Sequence, residues 1–334
     1  MASYRDIIKQ SWKISWKNKY LWFFGFFASI ISFGAEFKVL SRSVNQDQGI
    51  KLLNETLMFF KTGIFSKNAL INMGELIKTD PMSALAILSI IVFIIAFAIF
   101  FLWLATVSQI SIIESVKNLI KGTKNETKIK NNLRKSNKKF WPVLSMNLII
   151  GVIINGITLL ISLLLVMALI RESSTLTLIY GLLFILIIPV ILIASFVFKY
   201  AIAYIVVDGK KFKDSLSAAW KLFKDNWLIS VEIAITLFFI NIAAMFIIST
   251  ITFLVLILLI GVAMTSSIFI IASQAFFWSV VVLAILLAMA IMIIGSAIIN
   301  TFQISSWTNL FMKIKDKQTS SKIERIFSEE TPKS

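Results

Sequence analysis

Five stretches of this chain, residues 83–107, 141–170, 176–207, 227–264 and 268–299, are apolar for at least the roughly 20 residues that one crossing of a bilayer requires. A sixth and shorter run covers 20–35. Apolar residues make up 58% of the 334 positions, well beyond a soluble domain, where about half is apolar even with glycine counted. In hydrocarbon every backbone amide needs a partner within its own segment, and a helix supplies one. The expected fold class is therefore all-α, a polytopic membrane protein.

The net charge of +16 would suggest nucleic acid in a soluble protein, but here its position relative to the runs decides its meaning. Five basic residues precede Tyr20, nine lie between Glu114 and Lys139, five between Asp208 and Asp225, and six follow Leu310. Those four segments hold 25 of the 33 basic residues and alternate with the segments 35–82, 171–175 and 265–267. The positive-inside rule then predicts six spans, arranged as three hairpins, with both termini in the cytoplasm of a cell with a cytoplasmic (inner) membrane. Residues 1–19 form a cytoplasmic lead-in helix, and 20–312 the membrane domain. That domain has an outer segment 35–82 and cytoplasmic segments 110–140 and 208–225, and 313–334 is a basic, polar tail. The first run is expected to be retained as a span: two tryptophans sit among the 19 residues before it, and Phe33-Gly34-Ala35 is a poor cleavage site.

Shifting the sequence by 208 positions lays YRDIIKQSWKISWKN (4–18) over FKDSLSAAWKLFKDN (212–226), with Asp6 on Asp214, Trp12 on Trp220, Lys13 on Lys221 and Asn18 on Asn226. A second match sets QIS at 109–111 on QIS at 303–305. The chain thus carries an internal repeat. In each lead-in segment a four-residue spacing separates an apolar side (Tyr4, Ile8, Trp12, Trp16) from a basic one (Arg5, Lys9, Lys13, Lys17), and Trp220 with Lys213 and Lys221 repeats the pattern. Such helices lie in the membrane interface with their cations among anionic headgroups. Arg5, Lys9, Lys13, Lys17, Trp12, Lys213, Trp220 and Lys221 are the candidate headgroup contacts; docking of a cytoplasmic or membrane protein is the competing role for the same faces. In the outer segment, 52–65 and 69–79 are weakly amphipathic and predicted as short interfacial helices.

Ionisable residues inside apolar runs cost several kcal/mol and are functional candidates for that reason. Lys199 and Glu232 are the two, placed at comparable shallow depths and able to pair. A structural ion pair or a snorkelling lysine accounts for them as well as a proton or substrate relay does. Asn147, Asn155, Asn241 and Asn300, with Gln109, Gln274 and Gln303, are the strong polar groups of the bundle, suited to hydrogen bonds between helices. Pro189 is expected to kink its span, and Gly151 and Gly156 to allow a close helix approach.

The sequence contains neither cysteine nor histidine, which excludes disulfides, thiol and imidazole chemistry and Cys/His metal sites. It has no GxxxxGK[ST], GxGxxG, HExxH or GxSxG motif, and no cofactor or metal is expected. The segment YIVVDGKKFKDSLSAAWKLFKDNW (204–227) and the opening SWKISWKNKYLWFFGFFA resemble the membrane domain that precedes the catalytic barrel in some glycerophosphodiester phosphodiesterases, and related uncharacterised bacterial multi-span proteins. The resemblance implies a membrane module without hydrolysis, because the barrel with its metal-binding acids and histidines is missing. The expectation is a non-enzymatic membrane scaffold or lipid-interacting module; the alternative is a transporter or channel for a small solute. The expected partners are the lipid bilayer, anionic headgroups included, and a protein partner, with no role for nucleic acid.

Overall fold

The computed structural model describes residues 4–32, 58, 66–122, 137–170, 174–268 and 274–316, and among these every regular element is a helix. In chain order they are α1 (Tyr4–Lys17), α2 (Tyr20–Ser32), α3 (Lys67–Thr79), α4 (Pro81–Ile120), α5 (Phe140–Ile170), α6 (Ser174–Ala203), a π-turn (Tyr204–Asp208), α7 (Phe212–Asp225), α8 (Trp227–Ile268) and α9 (Gln274–Lys315). Five of them (α4, α5, α6 with its π-turn, α8 and α9) are long and apolar enough to cross a membrane. None of the apolar window of α4 is buried by protein, as a lipid-facing helix requires.

Five of the six expected spans thus correspond to helices long and apolar enough to cross. The described part of α2 has 13 residues, about 20 Å at 1.5 Å per residue, against roughly 30 Å of hydrocarbon. Helices α8 and α9 depart from the sequence reading in the other direction. Each runs for 42 residues without a break, about 63 Å, twice the hydrocarbon thickness. Ser249 and Thr250 lie within the helix, and α9 continues 16 residues past the end of the last apolar run at 299. Of the two predicted outer helices, the second is α3; the first, 52–65, lies outside the described residues apart from Met58, which is helical.

The chain divides into two compact units. Unit 2 comprises Ser32–Leu104 and Trp141–Lys199. Its buried centre is a set of isoleucines, Ile154 of α5 and Ile191 of α6, with Ile150, Ile157 and Ile187 around them. Gly151 and Gly156 do not serve a close approach: among the described residues nothing lies within 4 Å of a Cβ built at either. At the junction of α3 and α4, Asp80 caps α4, its carboxylate accepting from the Ser83 amide (3.2 Å) and hydroxyl (2.5 Å). Those two donors hold the Asp80 carboxyl below its usual range.

Unit 1 comprises Met1–Ile31, Ala105–Phe140 and Tyr200–Ser334. Helices α1 and α8 both pack along α9, and α2 meets α9 at Gly25. A Cβ there would collide with the Thr301 hydroxyl and the Ala297 carbonyl oxygen, so glycine is what lets the two backbones touch. At the contact the Asn300 amide donates to the Gly25 carbonyl (2.9 Å), and the Thr301 hydroxyl reaches the Leu21 carbonyl (3.1 Å). Two consecutive carbonyls on one face of α2 are therefore held by side chains of α9.

Candidate functional site

The repeat seen in the sequence is present in the helices. Both α1 and α7 are 14 residues long, and their ends correspond under the same 208-residue shift. Each is followed by an asparagine whose side-chain amide turns back on the carbonyl four residues earlier, Asn18 to Ile14 (2.8 Å) and Asn226 to Leu222 (3.0 Å). The fully buried positions are Ile7, Ser11 and Ser15 in α1 and the equivalent Ser215, Ala219 and Phe223 in α7. Trp12 and Trp220 face outward, 47% and 54% exposed. Arg5, Lys9, Lys13, Lys17, Lys213 and Lys221 are exposed as well. All eight predicted headgroup contacts thus sit on outer faces.

What the inner face of α1 touches was not foreseen. It docks on α9 through small and polar groups: Asn309 donates to the Ile7 carbonyl (3.1 Å) and the Ser11 hydroxyl (3.2 Å), and Ser15 bonds Ser305 (3.3 Å). This docking fixes the outer face. Trp12 packs edge-on against Phe302 at 5.5 Å and stacks on Trp16 at 5.6 Å, and Trp16 lies 5.5 Å from Trp22. The Trp22 indole N–H bonds the Ser15 carbonyl at 2.9 Å. Four aromatic rings in succession make a ledge beside the lysines of α1, rigid because each ring leans on the next.

The second feature is the end of α6. After Ala203 the helix widens into the π-turn and stops at Gly209, which takes the left-handed conformation (φ 71°) open to glycine. The carbonyls left over at a helix end need partners, and the four from Tyr204 to Val207 have them. Tyr204 and Ile205 accept from the Lys210 and Gly209 amides. Val206 accepts from Lys139 Nζ (2.6 Å) and Val207 from Lys117 Nζ (2.9 Å). Lys139 also pairs with Glu114 at 2.9 Å, whose residue exposure is 5%. Lys315, at the end of α9, grips both oxygens of Asp208 at 2.7 Å, and Lys210 sits 4.3 Å over the Tyr204 ring. Cations at the negative end of a helix are favourable in any case; here they also bring the ends of α4, α6 and α9 and the start of α5 to one point. One turn earlier, the fully buried Tyr200 hydroxyl bonds Ser230 of α8 at 2.7 Å, and its ring lies 6.3 Å from Phe311 of α9.

The intramembrane pair expected from the sequence falls on different units: Lys199 closes unit 2 and Glu232 belongs to unit 1, each half-buried. Lys199 Nζ lies 5.9 Å from the Phe196 ring centre, at the outer limit of a cation–π contact. Of the predicted polar bundle residues, Asn300 is buried and joins two helices as expected. Gln109, Gln303, Asn147 and Asn241 are half-buried; Asn155 is exposed, donating to Gly151 of its own helix at 2.7 Å, and Gln274 is exposed at the start of α9.

The buried polarity lies elsewhere, in two seams that reading polar residues one at a time passes over. On α4, Ser108, Ser111, Glu114, Ser115 and Asn118 are all buried; on α9, Thr301, Ser305, Thr308 and Asn309 are. Both sets recur every three or four residues, the spacing of one helix face. That periodicity, in the segments that follow the apolar runs, was the available signal.

Residues 22–306 match a family of unknown function, DUF7544. The chain belongs to this family. No curated protein and no solved structure gives a significant match. The matched region takes in α7 and the π-turn and begins after α1.

Proposed function

We propose that this protein is a six-span component of the cytoplasmic (inner) membrane, with both termini in the cytoplasm, acting without catalysis as a scaffold that gathers anionic phospholipids around its two lead-in helices. The observation that carries this reading is the pattern of what α1 and α7 share. Their fully buried positions all differ, whereas Asp6, Trp12 and Lys13 are matched identically by Asp214, Trp220 and Lys221 on the outside, and Arg5 by the basic Lys213. Lys9, Trp16 and Lys17 are not repeated. Helices kept only to pack and orient the spans would retain the inner face and let the outer one drift.

The shared residues form a small motif. A seven-residue spacing sets Arg5 two turns above Trp12 and Asp6 two turns above Lys13, so a basic group and a tryptophan share one line along the helix. Tryptophan seats at the headgroup level, and the neighbouring cations meet lipid phosphates. The likeness of 204–227 to the membrane domain that precedes the catalytic barrel in some glycerophosphodiester phosphodiesterases supports a membrane module of this kind.

The test is lipid selectivity in reconstituted vesicles, read by electron paramagnetic resonance as the motionally restricted fraction of spin-labelled phosphatidylglycerol against phosphatidylcholine. Each basic residue near an anionic surface contributes about 1 kcal/mol. The wild type should favour the anionic lipid several-fold, and a variant carrying Arg5→Gln, Lys13→Gln, Lys213→Gln and Lys221→Gln should lose most of that preference. Equal association of both lipids, or a preference untouched by the four substitutions, would sink the proposal and turn the search toward a protein partner.

A further inference from the structure

The two polar seams of unit 1 differ in how well they are satisfied. On α9 protein meets most of the groups: Thr301 reaches the Leu21 carbonyl, Ser305 meets Ser15, and the Asn309 amide nitrogen meets Ser11 and the Ile7 carbonyl; the Asn309 amide oxygen and the Ser306 hydroxyl have no partner among the described residues. On the α4 seam Ser108 is fully buried and its hydroxyl has no hydrogen-bond partner among the described residues; the Asn118 amide nitrogen, 6% exposed as a residue, has none either. The Tyr20 hydroxyl faces Ser115 of the same seam, is itself shielded, and makes no hydrogen bond of good geometry. Three orphaned polar groups thus sit along a face that also carries the buried Glu114 carboxylate.

Buried polar groups are hydrogen-bonded in native proteins, and where protein supplies no partner, water does. A buried water needs two to four polar neighbours. Tyr20, Ser115, Asn118 and Glu114, within a turn of one another on or beside α4, provide that number; Ser108 and Ser111 form a second group. An apolar ligand would leave Tyr20, Ser108 and Asn118 unpaired, and Lys139 already neutralises Glu114, so the seam calls for a small neutral donor–acceptor.

We propose that the α4 seam from Asn118 to Ser108 is a hydrated cleft, a row of ordered water molecules completing the hydrogen bonds that Tyr20, Ser108 and Asn118 lack. Ten residues of helix separate its ends, so the water reaches about 15 Å along unit 1 from the basic end, where Lys117 and Lys139 lie. Hydration also explains how a carboxylate and an ammonium persist together at low exposure. The inference is independent of the lipid reading, since it concerns an inner face and a different ligand.

Synchrotron radiolysis makes hydroxyl radicals from whatever water is at hand, so oxidation of a buried side chain reports water beside it. The chain has no cysteine of its own, and Ser108→Cys is nearly isosteric. Its oxidation rate, measured by mass spectrometry on detergent-solubilised protein, is compared with Thr301→Cys and Ala28→Cys, at positions equally buried but sealed. We expect S108C to oxidise at least three times faster than both controls. A rate below that threshold, whether all three are slow or all three fast, overturns the proposal. Should S108C fail to fold, Ser111→Cys, the next position on the seam, gives the same comparison.

Discussion

Replacing Lys139 by methionine keeps the length of the side chain and removes its ammonium, leaving Glu114 and the Val206 carbonyl without the donor that now lies 2.9 and 2.6 Å away. Removing one partner of a buried ion pair costs about 3–5 kcal/mol, because the other charge stays behind. Two features lower that figure. The Lys139 side chain is 25% exposed, against 7% for Glu114, so the pair is partly screened. Water along the α4 seam would solvate the orphaned carboxylate further. We therefore expect Lys139→Met to cost about 2–3 kcal/mol. Glu114→Gln, which keeps an acceptor for Lys139, should cost about 1 kcal/mol, the scale of one hydrogen bond. Together they should show a coupling of about 1–2 kcal/mol, as for residues sharing one network. The unfolding free energy in mixed detergent micelles measures each corner of the cycle. Lys315→Gln is the internal comparison. That lysine is 40% exposed, and exposed pairs contribute at most about 1 kcal/mol even with good geometry. Equal costs for Lys139→Met and Lys315→Gln, or additive effects of Lys139→Met and Glu114→Gln, would refute the claim that the end of α6 is held by a desolvated pair.

Two further outcomes follow from packing and from the repeat. Gly25→Ala places a methyl against the Thr301 hydroxyl and backbone Ala297; backbone yields little, so the unfolding free energy should fall by about 1–3 kcal/mol, whereas Gly151→Ala, with open space around it, should leave it within about 0.5 kcal/mol of the wild type. Asn18→Ala and Asn226→Ala each remove one side-chain bond at the end of a repeated helix; each should cost about 0.5–1.5 kcal/mol, and clearly unequal losses would count against structural equivalence of α1 and α7.

The elements were legible in the sequence wherever one period dominated. The apolar runs gave the starts of α4, α5, α6 and α8 to within two residues and that of α9 to within six, and the 208-residue shift gave both ends of α1 and α7, because a helix boundary marked by Asn18 or Asn226 is local chemistry. The apolar run of α9 ends at 299 because the segment after it, NTFQISSWTNLFMK, loses hydropathy; the helix continues through that segment, whose polar side chains bond to α1 and α2, which hydropathy does not report. The same blindness hid Gly25. Glycines 151 and 156 have the spacing that suggests a close approach, yet the approach is made by a single glycine facing Ala297 and Thr301, and only the partner helix reveals it. Lys199 and Glu232 drew notice as charges within apolar runs. Glu114, Lys117 and Lys139 did not, because they were counted with a basic loop, although Glu114 is more buried than either.

That misplacement bears on how function is sought in a chain of this kind. A charge in the middle of a hydrophobic run is conspicuous, but the energetic demand for a partner depends on desolvation, and a helix twice as long as the bilayer is thick carries protein-buried positions well beyond its apolar window. In unit 1 the buried polar groups of α4 and α9 all lie toward their C-terminal ends, after Ala105 and Ile299 respectively. The same region receives the four lysines around the end of α6 and the docked face of α1. The outer surface of α1 and its inner contacts are thus two sides of one assembly: the serines that seat the helix on α9 set the angle at which Trp12 and its lysines project. A change that unseats α1, such as loss of the Asn309 bonds, would therefore disturb lipid selectivity without touching a single residue of the outer face.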